Sequence, residues 1–292
     1  MNRRLSFIRT FFIPVFFLGC LLFAPQLQAF TFQTLPEKLT GGEGFLVRIE
    51  GKSAGDCRVR FEGKRYTPFP ASRGAWEIFL PLKLKAAGEE ELILEKNSPD
   101  GPVEEYSFSV EVAPREIKTV FVEKTGREIR KAQPSVPAQQ KKVLKAIRNL
   151  DSKKYWNRPF SLPVQGEVSS EFAVRRDLGT HSSYHWGVDF SAPEGTPVKA
   201  ANSGKIILSE NDFNVYGNLL IIDHGQGVVS CYFHLFQTFK KTGEMVSRNE
   251  VIGEVGSTGW STGPHLHFSI YLQGRAVDPF WMVDFTSGQK GE

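Results

Sequence analysis

Gly256-Ser257-Thr258-Gly259-Trp260-Ser261-Thr262-Gly263-Pro264-His265-Leu266-His267-Phe268-Ser269-Ile270-Tyr271 reads as a glycine-rich turn that runs into a strand. On a strand, residues i and i+2 project to the same face, roughly 7 Å apart at the backbone. His265 and His267 can therefore reach one small site. Two imidazoles so close could each bind a metal, or one could bind while the other hydrogen-bonds a water on it. All six histidines of the 292-residue chain fall between positions 181 and 267. Histidine used as filler would be scattered, so this clustering points to a metal site in the C-terminal half.

Moving outward, His185-Trp186-Gly187-Val188-Asp189 offers the other half of such a site. Gly187 and the following Ser191-Ala192-Pro193-Glu194-Gly195 argue against a helix, and in an extended segment i and i+4 again share a face. His185, Asp189 and one member of the His-x-His pair make two nitrogens and one oxygen. Zinc suits that donor set and keeps a fourth position open in catalytic sites. The segments around these motifs, Gly204 to Leu208, Asn218 to Asp223, Val228 to Phe233 and Val251 to Val255, are short and β-rich with tight turns. They predict an all-β C-terminal domain over residues 159–285.

Upstream, residues 30–114 read as short antiparallel strands. Phe45, Val47 and Ile49 alternate with Leu46, Arg48 and Glu50, and Cys57, Val59 and Phe61 alternate with Arg58, Arg60 and Glu62. Turns are expected at Gly41-Gly42, Gly63-Lys64 and Pro99-Asp100-Gly101. An N-terminal immunoglobulin-like sandwich fits, and the whole chain falls in the all-β class. Residues 115–158 hold 13 Lys or Arg against 4 Asp or Glu. They read as a basic linker in which Pro134 and Pro137 oppose a helix, while Val143, Leu144, Ile147 and Leu150 repeat at helical spacing.

Residues 1–29 read as a signal peptide. Arg3, Arg4 and Arg9 precede an apolar stretch from Phe11 to Ala24, with a cut expected near Ala29 and an export route to the periplasm or the exterior. A retained signal would anchor the chain to the membrane, and Cys20 is a candidate for lipidation. Of the remaining cysteines, Cys57 and Cys231 are far apart and make no disulfide framework. A net charge of +4 gives no case for nucleic acid.

His185-x-x-x-Asp189, Tyr232-Phe233-His234-Leu235 and Gly256 to Phe268, in that order, resemble the lysostaphin-type zinc metallopeptidases, murein endopeptidases also known as LytM-like domains. The connecting phrases Gly195-Thr196-Pro197-Val198, Gly217-Asn218, Ile222-Asp223-His224-Gly225 and Val251-Ile252-Gly253 agree, and the resemblance covers about residues 160–283. It implies one zinc per chain held by His185, Asp189 and His267, with His234 and His265 as unligated catalytic imidazoles. It further implies hydrolysis of peptide bonds in the cross-links or stems of peptidoglycan, with cell-wall or division proteins as partners of the N-terminal domain. Some relatives lack ligands and instead activate a separate cell-wall amidase, so a non-enzymatic regulator is the alternative. All five positions are filled here, which favours an enzyme. No His-Glu-x-x-His stretch occurs, so histidines must replace the glutamate base of other zinc proteases. His224, before Gly225, reads as a turn residue, and His181 sits in a Ser-rich loop.

Overall fold

A computed structural model describes residues 31–97, 101–121, 135–148, 153–177 and 182–288. The signal peptide expected over residues 1–29, with Cys20, lies outside them, as do Pro134, Leu150 and His181. The chain forms two compact units. The first takes the segments up to Lys38, Leu46–Ile78 and Ala87–Val112, and the second takes Leu39–Phe45, Phe79–Ala86 and the chain from Ala113 onward.

The strands of the N-terminal third are β1 (Thr31–Leu35), β2 (Leu39–Thr40), β3 (Gly44–Glu50), β4 (Cys57–Phe61), β5 (Lys64–Tyr66), β6 (Phe69–Pro70), β7 (Trp76–Pro81), β8 (Gly88–Lys96) and β9 (Glu104–Ala113). In the first unit β1 pairs with β3, and β8 lies between β4 and β9, all antiparallel. Cys57, Val59 and Phe61 are buried on alternate positions of β4, and Phe32 of β1 stacks on Phe108 of β9 with centroids 4.0 Å apart. The β4–β5 turn is Glu62-Gly63, with φ of 47° and 74°, one residue earlier than the sequence reading. Lys64 is already paired with Phe61, so the two-residue loop with both φ positive closes the hairpin.

In the second unit follow β10 (Thr119–Phe121), β11 (Glu167–Ser170), β12 (Arg175–Asp177), β13 (Ser182–Tyr184), β14 (Val188–Ser191), β15 (Pro197–Lys199), β16 (Gly204–Phe213), β17 (Gly217–Gly225), β18 (Val228–Thr238), β19 (Met245–Val246), β20 (Val251–Val255), β21 (His265–Leu272) and β22 (Arg275–Val277). The principal sheet runs β11-β14-β21-β18-β17-β16-β19, with β20 joining β15 to β18 and β22 beside β21. Its strands pair antiparallel. Along β21, Leu266, Phe268, Ile270 and Leu272 are fully buried on one face, while His265, His267 and Tyr271 occupy the other. That alternation is what a strand with two different environments requires.

Helix α1 (Val136–Arg148) covers part of the histidine-bearing face. Its Val143 and Ile147 pack with Leu219, Ile221, Cys231 and Phe233. Leu144 is half exposed, so the helix presents a narrower apolar stripe than the sequence repeat suggested. Pro137 does not break it, because it is the second residue of the helix, where the missing N–H has no intrahelical partner to lose. Ile147 is 1% exposed. Ile147→Ala is expected to cost about 2–4 kcal/mol, by lost burial plus the cavity left behind. Denaturant unfolding checks that cost, and faster hydrogen exchange should appear first in residues 136–148.

Two further elements depart from the sequence reading. Within the expected linker, β10 adds in parallel to β12, which in turn pairs with β13. Near the end of the chain, helix α2 (Pro279–Gly288) buries Trp281 and Met282 in the expected all-β region. Phe280-Trp281-Met282-Val283 is a continuous apolar run, which by itself fits a buried helix as well as a strand. The fold remains predominantly β. Among the described residues no helix is long and apolar enough to cross a membrane.

Candidate metal centre

Asp189 on β14 and His267 on β21 are direct cross-strand partners, so the sheet register itself brings a carboxylate and an imidazole together. His185 lies just before β14 and is tied in place by its backbone. Its N–H donates to Val174 O at 2.9 Å, and its carbonyl accepts from Ala173 N–H at 2.8 Å. Three donor atoms then converge. His185 Nε2 is 2.9 Å from Asp189 Oδ1 and 2.9 Å from His267 Nδ1, and His267 Nδ1 is 2.8 Å from Asp189 Oδ1. Gly187 makes room for this arrangement. A Cβ there would meet Phe268 O at 2.5 Å, Ser269 Oγ at 2.5 Å and His267 Nε2 at 2.7 Å.

The outer hydrogen bonds decide which atoms carry lone pairs. His185 Nδ1 lies 2.8 Å from the Glu171 carbonyl, which can only accept, so Nδ1 bears the proton and Nε2 is bare. His267 Nε2 lies 2.8 Å from Ser269 Oγ, a hydroxyl able to accept its proton in the tautomer whose Nδ1 is bare. Burial alone would raise the Asp189 carboxyl, but its contacts with His185 and His267 prevail and hold it well below the usual carboxylate range. Burial also lowers the His267 imidazole, which favours its neutral form. An ionised carboxylate oxygen and two imidazole nitrogens thus converge, and once a cation displaces any proton shared between them all three can present lone pairs to one point. That buried donor set fits a divalent cation, and His185, Asp189 and His267 match zinc chemistry.

The outer oxygen of Asp189 is also engaged. Arg176 on β12 donates to Asp189 Oδ2 at 3.1 Å and to Ser170 Oγ at 3.2 Å. Only Oδ1 is left facing the two imidazoles. Such outer partners orient ligands and set tautomers. Sequence reasoning missed Arg176, Ser269 and the Glu171 carbonyl. Ser269 alone carried a signal, lying in phase with His265 and His267 on the strand.

Two more imidazoles stand beside the three donors. The rings of His234 on β18 and His265 on β21 are 4.8 Å apart, and the His234 ring is 6.3 Å from that of His267. His234 Nδ1 lies 2.9 Å from Thr258 O and His265 Nδ1 lies 2.9 Å from Gly263 O. Each carbonyl can only accept, so each Nδ1 bears a proton and Nε2 is the nitrogen left free in the neutral tautomer. Burial, with His265 and His267 adding to it, pushes the His234 imidazole down to about 3, so it is neutral. His234 has φ of 64°, a left-handed conformation that is uncommon for a side-chain-bearing residue and turns up at functional sites. Between the two groups, Phe233 stacks on His267 with centroids 5.4 Å apart and planes 2° from parallel. Phe233 also belongs to the core under α1, so the His267 ring rests on packed structure.

All five residues singled out in the sequence thus meet at one place on one sheet face. His224 is elsewhere. Fully buried, it donates from Nδ1 to Ser203 O at 2.8 Å and lies 2.8 Å from Ser230 Oγ, which contacts Tyr232 OH. Burial pushes its imidazole down to about 4. It joins the β17 strand end to the neighbouring loop instead of serving the turn alone.

Residues 183–279 match the profile of Peptidase family M23. Over 117 residues the chain is 42% identical to the DD-carboxypeptidase/endopeptidase Mpg of Neisseria meningitidis, covering 40% of this chain and 27% of that protein. Over 133 residues it is 35% identical to the peptidoglycan DD-endopeptidase ShyA of Vibrio cholerae, covering 45% of this chain and 31% of that protein. The match therefore spans less than a third of these curated relatives. A crystal structure of a peptidase M23 candidate from Pseudomonas aeruginosa superposes with a TM-score of 0.63 at 27% identity, over 85% of this chain and 96% of that one. The matched segment holds every residue of the cluster, and the chain carries a peptidase family M23 domain of the LytM-like type.

Proposed function

We propose that the protein is an exported, zinc-dependent endopeptidase that hydrolyses peptide bonds in the cross-links or stems of peptidoglycan. The observation that carries this reading is the pair of bare imidazole nitrogens, His234 Nε2 and His265 Nε2, standing beside the converged donors His185, Asp189 and His267. A purely structural metal site is closed by protein ligands and has no use for extra uncommitted imidazoles. The name of the Vibrio relative supports peptidoglycan as the substrate, and the DD-endopeptidase wording shared by both relatives makes a D,D cross-link the first bond to try. The basic start and apolar run of residues 1–29 support export, with membrane attachment if that segment is kept.

Bound zinc would supply an electrophile for the scissile carbonyl and acidify a water. The chain's own residues do the rest. His185, Asp189 and His267 hold the ion. One of the two imidazoles, His234 or His265, would accept the proton of the attacking water at its Nε2 and return it to the leaving amine, the work otherwise done by a glutamate. The other imidazole would help hold the negative charge that develops on the carbonyl oxygen. Both rings are prealigned by backbone carbonyls, so they need little reorganisation as the reaction proceeds. The first unit and its strands would serve as the contact for cell-wall or division proteins.

Purified protein given cross-linked muropeptides should shorten them unaided, as read by mass spectrometry. His234→Ala should retain one zinc per chain and lose cleavage by about 100-fold or more, as general acid–base groups contribute at that scale. A fully active His234→Ala protein overturns its assigned role. Cleavage that appears only when a cell-wall amidase is added would favour the regulator.

A further inference from the structure

The loop that follows β20 enters the site at Thr258, and this residue touches His234 and its two flanking strands at once. The Thr258 carbonyl accepts the His234 Nδ1 proton at 2.9 Å. The Thr258 hydroxyl donates to Leu235 O at 2.7 Å, one residue past His234, and accepts from Asn218 N–H at 2.9 Å. The opposite side of the same residue is closed by Gly217, where any Cβ would run into Thr258 Oγ1 and its backbone. A second bond fixes the loop farther on, Trp260 N–H to Val215 O at 3.0 Å. His234 itself donates its backbone N–H to Tyr216 O at 2.9 Å.

These bonds account for how His234 is held in the left-handed conformation at the register break of β17 and β18. The ladder cannot bond normally there, and the Leu235 carbonyl and Asn218 N–H that flank the break find their partner in one side chain. The carbonyl of that side chain's own residue then sets the His234 tautomer. Serine could make the same bonds. Valine has threonine's shape but can neither donate nor accept, so it leaves two backbone groups of the break without their partner.

We propose that Thr258 is a positioning residue for His234: its hydroxyl locks the break between β17 and β18, and its carbonyl holds the imidazole with Nε2 bare and aimed at the site. The inference rests on the catalytic role proposed for His234, and it acts without touching the metal ligands.

The test compares Thr258→Val, Thr258→Ser and the unsubstituted protein in zinc content, kcat and KM on a cross-linked muropeptide, and nitrogen-15 NMR of the His234 ring at one fixed pH. Thr258→Val should keep one zinc per chain and a KM within about threefold, while kcat falls about tenfold to hundredfold, the range for a misplaced catalytic group. Its His234 Nδ1–H signal should weaken in favour of the other tautomer. Thr258→Ser should restore both kcat and tautomer. Unchanged kcat with an unchanged His234 signal in Thr258→Val overturns the proposal, and so does loss of zinc from that variant or failure of serine to rescue. If the unsubstituted protein cleaves nothing, the functional reading fails, and the ring signal still decides whether Thr258 sets the tautomer.

Discussion

His267→Ala should abolish both zinc binding and cleavage, while the fold should survive. His267 supplies one of three donors and lies opposite Asp189 in the sheet, so its removal leaves His185 and Asp189 alone around the centre. Loss of an outer partner of a ligand already costs about 10–100-fold in metal affinity, and loss of the ligand itself must exceed that. Both ring nitrogens are engaged, Nδ1 with Asp189 and His185 and Nε2 with Ser269, and truncation to Ala removes the donor outright. The strand keeps Leu266, Phe268 and Ile270 in the core on its other face, so thermal unfolding should change little. Zinc content by mass spectrometry, beside a muropeptide assay, reads both effects. A variant that keeps its zinc shows that the ion is held elsewhere.

Gly187→Ala acts on the same centre from behind and should damage both the fold and the metal site. The new Cβ would sit 2.5 Å from Phe268 O, 2.5 Å from Ser269 Oγ and 2.7 Å from His267 Nε2. Phe268 O belongs to a central strand and cannot yield without breaking the ladder between β14 and β21. The imidazole can yield, but only by giving up its Ser269 contact and swinging Nδ1 off the shared centre. Overpacking of this kind costs about 1–3 kcal/mol, a fall of roughly 2–10 °C in Tm for a domain of this size. Zinc affinity should fall with it. A variant with wild-type Tm and full zinc occupancy contradicts this account of Gly187.

The residues that face the site were legible in the sequence because chemistry limits them to few types and the strand period fixes their faces. His265, His267, His185 and Asp189 needed only spacing, and His234 needed its neighbours Tyr232, Phe233 and Leu235. The supporting atoms were not legible. The carbonyls of Glu171, Thr258 and Gly263 carry no residue-type signature, since every amino acid offers one. Arg176 lies on the short strand β12, whose Arg175-Arg176-Asp177 has no apolar alternation to read, and only the folded chain shows it against Asp189. Gly187 was read as evidence against a helix, but its stronger reason is the lack of room for a Cβ beside His267.

The elements followed the same division. Strands with one buried face announced themselves by alternation, as in β4 and β21. The helix α2 did not, because Phe280 to Val283 is apolar throughout and has no period to read. Strand β10 is three residues in a basic segment, and its pairing with β12 depends on a partner more than 50 positions away. Pro137 misled because its effect depends on position within a helix, and the start of α1 is set by packing of Val143 and Ile147 on the sheet.

Anomalous diffraction at the zinc edge from crystals of zinc-loaded protein tests the central claim most directly. The account predicts one peak per chain, about 2.0–2.2 Å from His185 Nε2, Asp189 Oδ1 and His267 Nδ1. A loaded crystal with no peak among these three atoms, or with its zinc on other residues, would contradict it.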